Sequence, residues 1–353
     1  MKRAGNRLVG LFGRPTSTLA APVGQSGAMD APVPLWIVRL AWLVLPFLAW
    51  AGIGAALDGA SSGASIVVAA IAWAVWAVVL VATAMVRPVA LVILRLLVPL
   101  APAATATALL LAAGEGSLAA GDGDTITALL GFAAGVVAAV AVMLPSTGDY
   151  FLNGDSYGDE QRFGLRCPGA LVVTLGPLWL LGVALPAAGI AWLAGAQWAM
   201  GAAALIVGGL AGVWLWAVAG RLAQRFVVFV PAGLTVVDPL SLAEPVLFAR
   251  NRTLSIGPAF VDPDPSDADV EGERVDLSGA ALGLAIELRT DGPTEVVTLS
   301  RPSERDTSDG GGLADRMKAA RMGVSRQAPS VLFTPSRPAE FLLQTRRANS
   351  ARA

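Results

Sequence analysis

Long apolar runs separated by short polar connections fill the first two thirds of the chain, and short alternating segments punctuated by turn residues fill the rest. A helix needs about 20 mostly apolar residues to cross a bilayer. Six stretches meet that length: Leu35 to Leu57, Ala64 to Val86, Leu96 to Gly114, Thr125 to Leu144, Ala170 to Leu193 and Trp198 to Gly220. Pro99, Pro102, Pro177 and Pro186 are expected to kink the third and fifth spans, because proline removes a ladder donor and crowds the preceding turn. GFAAG (Gly131 to Gly135) and GGLAG (Gly208, Gly212) have the small-xxx-small spacing that lets helix backbones approach closely.

After Arg225 the period shortens to that of strands. RFVVFV (225–230) and LTVVD (234–238) flank Pro231-Ala232-Gly233, a hairpin signal. PVLFAR (245–250) and TLSIGP (253–258) follow. GLAIELRT (283–290) and EVVTLS (295–300) flank Asp291-Gly292-Pro293, which predicts a second hairpin, and SVLFT (330–334) is a last strand. SRPAEFLLQTRR (336–347) predicts a helix with Ser336 as its cap, Pro338 in its first turn, and Arg346 and Arg347 at its C-terminal end. Residues 259–276 and 301–328 are acidic or glycine-rich and are expected to be insertions.

Composition agrees with a membrane chain: 55% of the 353 residues are hydrophobic and 14% charged, where a soluble domain is about 25% charged. The sign of the charge sets the orientation. Lys2, Arg3, Arg7, Arg14, Arg87, Arg95, Arg162, Arg166, Arg221 and Arg225 fall on one side of the six spans. The three opposite connections carry Asp58, Glu115, Asp122 and Asp124 and no basic residue. By the positive-inside rule both termini are cytoplasmic, at the plasma membrane. The basic N-terminus has an apolar run too short for a signal peptide, so none is expected. Arg39 and Arg95 sit near span ends, where arginine can snorkel to the headgroups.

Several chemistries lose their support. A net charge of −1 gives no electrostatic basis for binding nucleic acid. The chain has no histidine, hence no near-neutral imidazole base or ligand, and Cys167 alone cannot form an intramolecular disulfide. No Asp, Glu or Lys lies inside a span, against an ion- or proton-coupled transporter. No cofactor and no metal site is expected.

One connection stands apart. STGDYFLNGDSYGDEQRFGLRCPG (146–169) holds four carboxylates, two arginines, both tyrosines and the cysteine. Its glycines and prolines are ordinary loop residues. A calcium loop fails on Tyr157 and Gly164 at ligand positions. A phosphate loop and an activated Cys167 fail for want of a glycine-lysine motif and a histidine. Tyr150, Phe151, Tyr157 and Phe163 nevertheless need a surface to order against. The candidate docking residues are Tyr150, Asp155, Tyr157, Asp159, Glu160, Arg162 and Arg166, with Arg250 or Arg252 as expected partners of the carboxylates. Catalytic residues: none.

Seven short strands and a C-terminal helix, with RFVVFVPAGLTVVDP and FTPSRPAEFLL, resemble the bacterial pleckstrin-homology-like domain over about 120 residues. The whole chain resembles six-span membrane proteins of actinobacteria that carry such a domain. That resemblance implies location and architecture, and a binding or assembly module rather than a catalyst. The expected fold is a polytopic α-helical membrane bundle of six spans with a C-terminal cytoplasmic β-rich PH-like domain ending in a helix. The expected division is a basic tail (1–33), a transmembrane domain (34–220), the PH-like domain (221–348) and a short tail (349–353).

The leading function is a non-enzymatic scaffold or regulator, with the lipid bilayer and a cytoplasmic or membrane protein as partners. The alternative is a transporter or channel for an uncharged or lipidic solute, through the kinked third and fifth spans. An enzyme using Asp155, Asp159 or Glu160 is the weakest. The charge asymmetry predicts that, without Cys167, single cysteines at Ala60, Ala119 and Ala196 label from outside intact cells. Those at Gly10, Asp155 and Ser350 should stay unlabelled; the reverse pattern would reverse the topology.

Overall fold

The computed structural model describes residues 30–57, 62–114, 122–156, 160–194, 197–259, 274–299 and 323–350. Its helices are α1 (Val33–Leu57), α2 (Ser62–Ala84), α3 (Pro88–Leu97), α4 (Leu100–Gly114), α5 (Gly123–Met143), α6 (Pro145–Asn153), α7 (Gly169–Ala194) and α8 (Trp198–Ala223). Six helical stretches are long and apolar enough to cross a membrane, α3 and α4 together supplying one of them, Pro88–Leu110. They support a multi-pass membrane protein.

The third span departs from its expected start at Leu96. It begins at Pro88, which follows an extended Arg87 and occupies the first helical turn. There the missing proline amide costs nothing and its fixed φ favours the helix. The helix closes where Val98 N–H bonds Leu94 O at 3.0 Å, and Pro99 has no amide to continue the ladder. By contrast α7 runs unbroken through Pro177 and Pro186.

Small residues set the helix contacts. A Cβ at Gly131 would stand 3.1 Å from the backbone of Leu48 and Ala49, and one at Gly135 would stand 3.0 Å from Pro102. These positions let α5 lie directly against α1 and α4. Gly208 does the same against Pro186, whereas Gly212 faces open space. Trp42, Leu35, Val79, Leu94 and Val142 form the helical core, which also takes in Phe151 from α6.

The C-terminal region holds β2 (Phe226–Val230), β3 (Gly233–Val237), β4 (Val246–Ala249), β5 (Thr253–Pro258), β6 (Val275–Asp276), β7 (Ile286–Leu299), β8 (Gly323–Phe333) and α9 (Pro338–Ser350). The strands build two four-stranded sheets. One has the order β1-β2-β3-β4, where β1 is Gln161–Gly164 from the connection between α6 and α7. The other has the order β5-β7-β8-β6, antiparallel except for the β6–β8 pair. Phe341 of α9 is fully buried among Phe163, Phe229 and Phe333.

The structure departs from two expectations. Asp291-Gly292-Pro293 does not make a hairpin: residues on both sides of it pair with the same strand, β8. Between Arg289 and Thr294 the partner advances only from Ser330 to Ala328, so the extra residues bulge out of one continuous β7. Thr290 closes the bulge by donating to Gly292 O at 2.7 Å, and Pro293 needs no ladder acceptor. The two insertions are also shorter than expected at their C-terminal ends, because Val275–Asp276 and Gly323–Ala328 are strand. The remaining 260–273 and 301–322 lie outside the described residues.

Candidate functional site

The connection between α5 and α7 is not a loop at its start. Leu144 breaks α5, Pro145 opens α6, and Thr147 donates to Ala141 O at 2.8 Å, satisfying a carbonyl at the end of α5. The helix then has two faces with different neighbours. Phe151 is fully buried in the helical core, with Tyr150 packed beside it edge-on at 5.6 Å. Gly148 lets the Arg95 guanidinium lie against α6, since a Cβ there would stand 2.9 Å from Nη2. At the end of the helix any Cβ on Gly154 would collide with Val86 O, so the chain passes the α2–α3 junction only as glycine.

The other face holds Asp149, which is 2% exposed. Its Oδ1 accepts from Gly164 N–H at 3.0 Å and from the Ser336 hydroxyl at 3.3 Å, and its Oδ2 accepts from Arg337 Nε at 2.6 Å. One carboxylate thus joins α6, β1 and the entry to α9. Asn153, one turn on, donates to Asp149 O and Arg162 O and accepts from Arg162 N–H at 2.8 Å. These bonds satisfy backbone groups that the edge strand β1 would otherwise leave unpaired.

From there β1 pairs antiparallel with β2, Gln161 opposite Phe229 and Gly164 opposite Phe226, and drives Phe163 into the sheet core. Leu165 N–H and Arg166 N–H continue the pairing to Arg225 O and Thr334 O. Beneath this strand Arg225 and Asp238 form a two-pronged pair, both bonds 2.7 Å, with side chains at most 1% exposed. Arg225 also donates to Arg166 O at 2.7 Å and Leu277 O at 3.2 Å. Removing one member of such a pair strands the other charge and costs about 3–5 kcal/mol.

Of the sequence-derived candidates, Tyr150 packs on the helical core, and Arg162 stands 3.8 Å from Glu160 and over the Phe226 ring. Arg166 donates to Leu282 O at 2.9 Å. Asp155 stands 3.9 Å from Arg87 instead of pairing with Arg250 or Arg252, and Arg252 pairs with Asp291. Tyr157 and Asp159 lie outside the described residues. Ser336 serves Asp149 rather than opening α9, which starts at Pro338.

Asp149, Arg337 and Asp238 were not singled out from sequence, and Arg225 was named only among the basic residues that set the orientation. Asp149 carried a signal: with Asn153 four residues on, it lies on one helix face beside two aromatics. Arg225 and Asp238 carried none, because both read as strand ends.

Burial pushes the Cys167 thiol above its ordinary value, against the pull of the nearby Arg225 and Arg95 charges, so it is a poor nucleophile at neutral pH. Among the described residues no three His, Cys, Asp or Glu gather as metal ligands. A mainly apolar cleft of about 320 Å³ opens between α1 and α2, lined by Pro46, Trp50, Ile53, Trp73 and Trp76. It does not lie between the third and fifth spans, where a solute path was expected.

No family model, curated protein or solved structure matches this chain.

Burial raises the Asp149 carboxyl above its ordinary 3.8, and the Arg337 hydrogen bond and charge, the Gly164 N–H and the Ser336 hydroxyl recover part of the shift. The folded protein therefore binds this proton more tightly than the unfolded chain. Its contribution is fullest at acid pH and is lost as pH rises from the ordinary value through the folded one. Asp149→Asn cannot titrate, so the difference in unfolding free energy between wild type and variant should fall across that window and then level off. A pH-independent difference would contradict this account of Asp149.

Proposed function

We propose that this chain is a non-enzymatic integral membrane protein that acts as a scaffold or regulator through its C-terminal sheet domain. In this reading the domain is PH-like and cytoplasmic, both termini are cytoplasmic, and the membrane is the plasma membrane of a bacterium. The observation that carries it is the seating of β1 in the domain's first sheet, with Asp149 tied to Arg337. A domain held this way to the six helices reports on them, and they on it. A tethered domain with a free linker would not.

Two further features support a partner surface. Among the described residues β4 ends the first sheet and β5 the second, and the two strands are consecutive in the chain. They present Leu247 and Leu254, 46% and 70% exposed. Exposed edges with apolar side chains accept an added strand from a partner. The paired carboxylates also favour this role, since Asp149 and Asp238 are committed to arginines rather than held free for proton transfer. A lipidic solute remains the second reading, favoured by the tryptophan-lined cleft between α1 and α2.

Photo-crosslinking residues at Leu247 and Leu254, in the full chain in its native membranes, distinguish these readings. A scaffold gives a discrete protein adduct that charged substitutions on the same edge abolish. A crosslinker at Trp73 that captures lipid, with no protein adduct from either edge, would favour the solute reading and remove the scaffold.

A further inference from the structure

The segment Ser278-Gly279-Ala280-Ala281-Leu282-Gly283-Leu284-Ala285 has no charged residue, although it is a surface loop of the sheet domain. Leu282 is 76% exposed and Leu284 44%. Loops facing water are normally polar, and bare leucines at a loop tip are costly there. The conformation that presents them is an unfavourable one. Gly279 and Ala280 have φ of 59° and 56°, and Ala280 is the one positive-φ residue other than glycine among those described. Left-handed backbone at alanine persists where the surroundings impose it, and such strain collects at functional sites.

What imposes it is the start of α7. Gly169 N–H donates to Gly279 O at 3.2 Å, and a Cβ on Gly279 would stand 3.1 Å from Pro168. Arg166 donates to Leu282 O at 2.9 Å and packs so close that a Cβ on Gly283 would stand 2.9 Å from its guanidinium. The loop is therefore clamped to the first residue of an apolar span, Gly169–Ile190. Leu282 follows Gly279 by three residues and so lies within about 11 Å of that point along the chain. The surface it continues is also apolar: Val172 and Val173 of α7 are 53% and 75% exposed.

We infer that the 279–284 loop inserts into the bilayer at the boundary of headgroups and acyl chains, seating the sheet domain on the membrane surface. The occupant of this patch is lipid, because the patch is continuous with the side of α7 that would face lipid. Interfacial elements bury their apolar face about 5–10 Å into that boundary, and binding grows with the apolar area buried. Arg166, drawn to the loop's carbonyl, stands where an anionic headgroup favours a cation. The insertion fixes the height of the domain, so the partner edge of β4 and β5 is presented at a set distance from the membrane.

The inference rests on the membrane reading, and one experiment separates the two. In the full chain with Cys167→Ser, a bimane label is placed at Leu282→Cys or, separately, at Val173→Cys. The protein is reconstituted into vesicles of phosphatidylethanolamine and phosphatidylglycerol. Insertion predicts that both labels lose emission when the lipids carry a shallow nitroxide, and that aqueous iodide leaves both bright. If Val173 is quenched by lipid while Leu282 is quenched by iodide, or by neither agent, the loop does not insert although the span does. If iodide quenches both, the membrane reading fails and the inference with it.

Discussion

A single buried carboxylate, Asp149, must be compensated, and its three donors come from parts of the chain up to 188 residues apart. Gly164 N–H, the Ser336 hydroxyl and Arg337 can reach it only if α6, β1 and the start of α9 meet at one point. An isolated charge at 2% exposure would cost several kcal/mol. The fold meets that constraint by threading the connection between two spans into the sheet domain. The helices and the domain thereby share one element.

The two ends of that element are held by different means. Phe151 secures α6 by burial in the helical core, and Phe163 secures β1 by burial among Phe229, Phe333 and Phe341. Covering an aromatic of this size contributes about 1.5–3 kcal/mol. The exposed pairs, Arg87 with Asp155 and Arg252 with Asp291, contribute about 0–1 kcal/mol each. Aromatic burial supplies the attachment, while Asp149 and the Arg225–Asp238 pair fix its register, since a slip of one residue would turn Phe163 away from the core.

Much of the architecture was legible in the sequence because apolar length and strand alternation are local signals. The spans, most of the strands and the closing helix follow from them. What failed was context-dependent. Pro88 at a helix start and Pro99 at a helix end look alike as letters, and only their neighbours decide that one opens a helix and the other breaks it. Asp291-Gly292-Pro293 has hairpin chemistry, but β8 is long enough to pair on both sides of it, and a bulge results. Gln161–Gly164 is too short and too polar to read as a strand until β2 offers its edge. The connection itself was legible as a cluster of aromatics and charges. The tie between Asp149 and Arg337 was not, because Arg337 looks no different from Arg250 or Arg252 along the chain.

The connection is part of the sheet domain. The amide hydrogens of Arg162, Gly164, Leu165 and Arg166 all have acceptors: Asn153, Asp149, Arg225 and Thr334. Hydrogen exchange of the full chain in lipid nanodiscs tests this directly. These four amides should be protected to the same degree as β2, and Asp149→Ala should release them while β3 stays protected. Exchange at the rate of an unstructured peptide in the unaltered protein would contradict it.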